Sequence, residues 1–203
     1  SLSDIALLIY TSGSTGKPKG AMLSYRNIRA GANGLIDRYG IGQGWTTLSY
    51  LPLCHVAEQA TTVFGPLYSG SQVNFGESLR TVQEDLREVA PMTFLGVPRI
   101  WEKMHSGIRV KMYEARPLQQ WLYRTAFAWC EPLADKPRSK WTLAEKAKYA
   151  LAYAAVFRAL KNAIGLTRCR VAFTGAAPIS PEVIRFFRTM GVPLVEIYGM
   201  TEG

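Results

Sequence analysis

Ile5 to Tyr10 is an unbroken apolar run, IALLIY, and apolar character resumes at AMLSY after a stretch of glycine, serine, threonine and lysine. Runs of this length around a turn-rich segment predict two short strands joined by a loop. Ser24 then stands as an N-cap for a helix carrying Tyr25, Ile28, Ala32 and Leu35. TTLSYLP and SQVNFG predict strands that flank a helix over Ala57 to Leu67. TVQEDLREVA is an amphipathic helix, and MTFLGVP a buried strand stopped by Pro98. From Ile100 to Ile164 the period turns helical, giving three helices separated near Pro117 and at the polar stretch ADKPRSK. The strand rhythm returns in CRVAFTG and PLVEIYG, on either side of a helix opened by Pro181 and closed by Gly191. Strand, helix and strand at that spacing make a right-handed βαβ unit with parallel strands. The expected fold is α/β and doubly wound, with a mostly parallel sheet, flanking helices and a helical insertion over about 99–168.

Composition supports a packed globular chain rather than a disordered one: 203 residues with 48% hydrophobic and 19% charged. The longest charge-free stretches, such as Gln59 to Gly76, are broken by Gly, Pro, Ser and Thr, and none reads as a spanning helix. SLSDIALLIY has neither an initiator Met nor a basic leader, so the chain reads as part of something longer. Cys54, Cys130 and Cys169 are odd in number and far apart, which argues against a disulfide framework and a structural zinc site and fits a cytoplasmic setting. Two histidines, His55 and His105, are too few for a histidine-rich metal centre.

The net charge of +9 is concentrated. Between Arg99 and Arg170 stand 15 Lys/Arg against 5 Asp/Glu, while the remainder is close to neutral. Such a region is either a solvated helix face or a surface drawn to an anionic membrane, where each cation contributes about 1 kcal/mol. No aromatic stripe interleaves the cations and no nucleic-acid module is recognisable, so no nucleic-acid partner is expected. Trp101, Trp121, Trp129 and Trp141 read as packing residues rather than a ligand box.

The loop TSGSTGKPKG fails the Walker pattern, because Gly13 and Gly16 are two residues apart and Pro18 follows Lys17. It fails the nucleophile elbow too, with Ser12 where the first glycine belongs. What remains is an anion nest: glycine backbone N–H groups, the hydroxyls of Thr11, Ser12, Ser14 and Thr15, and the charge of Lys19. His55 follows a strand and opens a helix, where ligands bind in open α/β sheets. Cys54 beside it is not read as a nucleophile, since strand neighbours point to opposite faces. Arg99 either faces the site or starts a helix.

TSGSTGKPKG closely resembles the signature loop of the adenylate-forming superfamily, and LPLCHVAEQ, VPRIWEKM, TGAAPIS and YGMTEG follow in that superfamily's order. LPLCHVAEQ and VPRIWEKM are most similar to the long-chain fatty acyl-CoA synthetase branch. The resemblance implies ATP-dependent activation of a long-chain fatty acid to acyl-adenylate and then acyl-CoA, with ATP, Mg²⁺ and CoA as cofactor and co-substrates. It also implies that residues 1–203 are part of an AMP-binding domain whose upstream portion and C-terminal lid domain, with its catalytic lysine, lie elsewhere, so that the chain alone is inactive. By the same resemblance Thr11, Ser12, Gly13, Ser14, Thr15, Gly16 and Lys19 hold phosphates, and Thr11 and Glu202 ligate Mg²⁺. Thr201 contacts the α-phosphate and acts with Glu202 and His55 in catalysis; Gly175, Ala176 and Ala177 pass close to the purine, and Tyr198 and Gly199 flank it, Tyr198 by stacking. Two alternatives stand beside this reading: another acid-activating relative with a smaller substrate, and a non-catalytic nucleotide or membrane-surface module.

Overall fold

Alternating β-branched, aromatic and small residues build five short parallel strands: β3 (Thr46–Ser49), β4 (Gln72–Phe75), β5 (Thr93–Gly96), β6 (Val171–Thr174) and β7 (Leu194–Glu196), in the spatial order β4-β3-β5-β6-β7. The computed structural model describes residues 1–11 and 18–201. Ahead of the parallel sheet, β1 (Ile5–Thr11) and β2 (Lys19–Ser24) pair antiparallel as a separate two-stranded sheet, the two strands expected on either side of the glycine-rich segment.

Side-chain alternation sends the two faces of the sheet into two cores. Leu48, Phe94 and Ala172 point to one face, against Leu86, Trp101 and Phe187. Leu95, Val171 and Phe173 point to the other, against Leu35, Tyr39 and Ala57. Burial on both faces makes the parallel sheet doubly wound. The first face is covered by α4 (Val82–Val89), α5 (Pro98–Tyr113) and α9 (Pro181–Thr189). The second is covered by α1 (Tyr25–Tyr39) and by a helical run of α2 (Val56–Glu58), a π-helical turn (Gln59–Phe64) and α3 (Gly65–Ser69).

The helix starts at Ser24, Pro117 and Pro181 are where the sequence put them, and the structure adds Gly40 and Pro98. Ser24 Oγ accepts from Asn27 N–H at 3.3 Å while Asn27 Oδ1 accepts from Ser24 N–H at 3.2 Å, a reciprocal cap. Gly40, with φ of 64°, ends α1 in the left-handed conformation glycine allows. Pro98, Pro117 and Pro181 each open a helix, where the missing N–H costs nothing. The helical insertion is α5, α6 (Pro117–Cys130) and a third helix made of α7 (Leu143–Ala152), a π-helical turn (Tyr153–Phe157) and α8 (Arg158–Ala163). Both π-helical turns are features that the apolar period alone did not reveal.

Two expectations need correction. β3 ends at Ser49, so Cys54 and His55 lie in the turn beyond it and both are exposed; strand alternation does not separate them. Their independence rests instead on His55, whose Nδ1 is engaged by the backbone of Ala57. The four tryptophans also divide: Trp101 is fully buried, whereas Trp121 and Trp129 are exposed. No helix among the described residues is long and apolar enough to cross a membrane.

Candidate active site at the carboxyl ends of the strands

The order β4-β3-β5-β6-β7 reverses direction at β3, and ligands of open α/β sheets lie outside the carboxyl ends of the strands near such a switch. At the switch itself, Tyr50 follows β3 and its hydroxyl accepts from Val97 N–H, just past β5, at 3.3 Å. Burial pushes the Tyr50 phenol above its ordinary pKa, so it stays a neutral tie between two strand ends. Trp101 makes the next tie: its indole Nε1–H donates to Gly96 O at 2.9 Å and to Phe173 O at 3.3 Å. Gly96 is required there, because a Cβ would come within 2.6 Å of that indole nitrogen.

His55 opens α2 as its N-cap, and Nδ1 accepts from Ala57 N–H at 3.1 Å. That bond assigns the neutral ring its proton on Nε2, leaving an exposed N–H donor suited to a carboxylate or phosphate oxygen. Behind it lies Glu58, only 1% exposed, whose Oε1 accepts from Ser49 Oγ at 2.5 Å and Thr62 Oγ1 at 2.7 Å. Glu58 thus fastens the His55 helix to the end of β3. An acid inside the apolar run VAEQATTVFG was the signal that could have found it.

β6 and β7 bring two of the expected loops together. Ile197 N–H donates to Thr174 O at 2.8 Å, and a Cβ on Gly175 would stand 2.8 Å from Ile197 O. Ala176 has φ of 70°, a strained left-handed position for a residue with a side chain. Ala177 beside it is exposed. On β7's side Tyr198 is 90% exposed, Gly199 is exposed and Thr201 is half-buried. Small residues on one loop and a bare aromatic ring on the next leave room for a flat heterocycle. Between them Thr174 Oγ1 is buried without a hydrogen-bond partner among the described residues.

Thr11 and Lys19 are register partners at the end of the hairpin where β1 and β2 are connected, with Thr11 Oγ1 donating to Lys19 O at 3.5 Å. No hydrogen bond among the described residues joins this hairpin to the parallel sheet, so the phosphate-loop residues and the strand-end loops form two groups. Ser12, Gly13, Ser14, Thr15, Gly16 and Glu202 lie outside the described residues. Arg99 is exposed in the first turn of α5. Among the described residues no group of three His, Cys, Asp or Glu could hold a metal. Mg²⁺ bound to phosphates requires only one or two protein oxygens, so the Thr11 hydroxyl remains an acceptable ligand. A small apolar cavity of about 40 Å³ lies between the Gln59–Phe64 π-helical turn, α1 and the sheet, lined by Leu35, Ala60, Thr61, Leu95 and Phe173.

A doubly wound parallel sheet with the small residues Gly175–Ala177 and the exposed Tyr198 past its carboxyl ends defines an open α/β protein with a ligand crevice there. The AMP-binding enzyme family matches residues 1–203, and the chain belongs to it. It is 39% identical over 207 residues to the rat protein named long-chain-fatty-acid–CoA ligase ACSBG2, covering 97% of this chain and 30% of that one. It is 35% identical over 205 residues to the putative fatty-acid–CoA ligase fadD11 of Mycobacterium tuberculosis H37Rv, covering 98% and 35%. The chain therefore spans about a third of the length of these relatives. Among solved structures, the A-PCP didomain of a carboxylic acid reductase from Segniliparus rugosus in complex with AMP superposes with a TM-score of 0.62 at 29% identity, over 98% of this chain and 24% of that one.

Proposed function

We propose that this chain is the nucleotide- and acyl-binding portion of an ATP-dependent, AMP-forming long-chain fatty acid–CoA ligase. The observation that carries the reading is the meeting of TGAAP and YGMT at the ends of β6 and β7, fixed by the Ile197–Thr174 bond and the close approach of Gly175. ATP supplies the adenylyl group and CoA the thiol; Mg²⁺ offsets phosphate charge. The protein's share is positioning and electrostatics, which dominate phosphoryl and adenylyl transfer. Gly175, Ala176 and Ala177 leave space along the purine, Tyr198 stacks on it, and Thr201 donates to the α-phosphate. Thr11, Ser12, Gly13, Ser14, Thr15, Gly16 and Lys19 cradle the outer phosphates, with Thr11 and Glu202 as metal ligands. His55 Nε2–H donates to the fatty acid carboxylate. The relatives' names support a fatty acid over a smaller acid.

The test is the full-length protein incubated with ATP, Mg²⁺, CoA and a long-chain fatty acid, with product read by mass spectrometry. Acyl-CoA and AMP are expected in equal amounts, and this chain alone is expected to give neither. Product made only from a short or aromatic acid would replace the substrate; no product from any acid would remove the reading.

A second part of the reading concerns location. We infer peripheral binding to anionic membranes from the cytoplasm through the basic insertion, because Leu118, Trp121 and Trp129 are exposed along α6 beside the exposed cations Arg116 and Arg124. Exposed tryptophan and leucine next to cations fit an interface of headgroups and acyl chains. Flotation with anionic vesicles should capture the protein and lose it in high salt or on Trp121→Ala with Trp129→Ala; flotation unaffected by either change would contradict the inference.

A further inference from the structure

A cavity of about 860 Å³ lies at the end of the sheet opposite the strand-end loops. Cys169 and Arg170, which lead into β6, and Gly191 to Pro193, which lead into β7, form its floor; the segment from Asp135 to Trp141 forms its wall. Its volume falls in the range of small-molecule sites, about 300–1,000 Å³. Five cations line it: Lys136, Arg138, Lys161, Arg170 and Arg188. Two are neutralised within the protein, Lys136 by Glu145 at 2.8 Å and Arg188 by Asp135 at 2.8 Å. For Arg138, Lys161 and Arg170, no carboxylate among the described residues lies within 4.0 Å.

Lys161 is the unusual member. It is 5% exposed, and its ammonium, with three donors, makes one hydrogen bond, to Gly191 O at 3.1 Å. The ring of Tyr153 lies 6.0 Å from it. A buried ammonium without a counter-charge is costly. Burial lowers the Lys161 pKa. The neighbouring thiol does not help, because burial pushes Cys169 up to about 12 and keeps it protonated.

The wall is built around Gly191, whose φ of 77° suits glycine. A Cβ there would collide with the Tyr149 hydroxyl and stand 3.1 Å from Arg138 Nη2. Because it is absent, Tyr149 Oη donates to Met190 O at 3.3 Å and accepts from Arg138 Nη2 at 3.3 Å. The Arg138 guanidinium also lies over the rings of Trp141 at 5.6 Å and Tyr149 at 5.1 Å. The guanidinium is thus held at the cavity by stacking and a hydrogen bond while carrying no paired anion, an arrangement suited to a phosphate group.

We propose that this cavity is a second anion site, taking a soluble phosphate-bearing small molecule between Lys161 and Arg138, apart from the loops at the carboxyl ends of the strands; the Arg170 guanidinium, 5.2 Å over the Trp45 ring, is engaged elsewhere. Two unpaired cations match a phosphate dianion better than a single carboxylate. Lys161 also sits at the carbonyl end of α9, so a purely structural role is the competing explanation.

The test is calorimetric titration of the full-length protein with inorganic pyrophosphate, beside Thr201→Ala, Lys161→Met and Arg138→Gln. The wild type is expected to bind at two sites, one of them altered by Thr201→Ala. The other is expected to weaken at least tenfold in both Lys161→Met and Arg138→Gln, with fatty-acid-dependent turnover unchanged. Arg138 is exposed, so its variant decides the matter if Lys161→Met does not fold. A single site in the wild type, or a second site indifferent to Arg138→Gln, would overturn the proposal. A lowered melting temperature in Lys161→Met with pyrophosphate binding intact would assign Lys161 to the structural role alone.

Discussion

Single residues at the strand ends do two jobs, and substitutions can separate them. His55 caps α2 through Nδ1 and offers Nε2–H outward. Asparagine is a good N-cap, so His55→Asn should leave stability within about 0.5 kcal/mol. If the Nε2–H binds the fatty acid carboxylate, the same variant should lower kcat/KM for the acid by about 10–100-fold, corresponding to the roughly 1.5–3 kcal/mol of a hydrogen bond to a charged group. Unchanged kcat/KM would reduce His55 to a cap. Gly175 has no such slack: Gly175→Val puts a side chain against Ile197 O and should raise the KM for ATP while lowering the melting temperature. The loops after β6 and β7 were readable from the sequence as strand ends, because the strand rhythm stops at glycine and proline. Glu58 and Tyr50 were not, because their partners Ser49, Thr62 and Val97 become neighbours only when strand ends and helix starts meet.

At the scale of elements, α5 links the site to the core. Trp101 packs edge-on against Phe94 and Phe187, with centroids 5.6 and 4.9 Å apart, and hydrogen-bonds to the backbone at the end of β5 and on β6. Trp101→Ala should cost about 3–5 kcal/mol by chemical denaturation, and Trp101→Phe less, from the lost indole bonds. One turn further, His105 packs on Phe186 of α9 at 4.4 Å, with Arg109 of its own helix and Glu182 of α9 as the charged groups around it. Burial, then Arg109, lowers its pKa below the ordinary 6.5, against a smaller opposing effect of Glu182. The unfolded chain therefore binds this proton more readily, and stability is lost as pH falls through the histidine range. His105→Leu should flatten that slope between about pH 7 and 5; an unchanged slope would place its origin elsewhere. Strands and helices were legible from period and capping residues. The π-helical turns were not, since a one-residue widening barely disturbs the apolar stripe.

The whole molecule combines a doubly wound sheet with a separate hairpin and a basic helical insertion. The sequence's βαβ rhythm anticipated a doubly wound parallel sheet but not its order β4-β3-β5-β6-β7; the charge asymmetry marked the insertion. What the rhythm could not convey was the cavity at the amino ends of β6 and β7, because Arg138, Lys161 and Gly191 are brought together from three separate segments. The central claim, that these loops serve adenylation of a fatty acid, is tested most directly by fatty-acid-dependent exchange of labelled pyrophosphate into ATP by the full-length protein, beside Thr201→Ala. The reading requires exchange that depends on a long-chain acid, needs no CoA, and falls at least a hundredfold in the variant, a loss of about 2.7 kcal/mol of transition-state stabilisation. Exchange indifferent to the acid or to Thr201→Ala would contradict it.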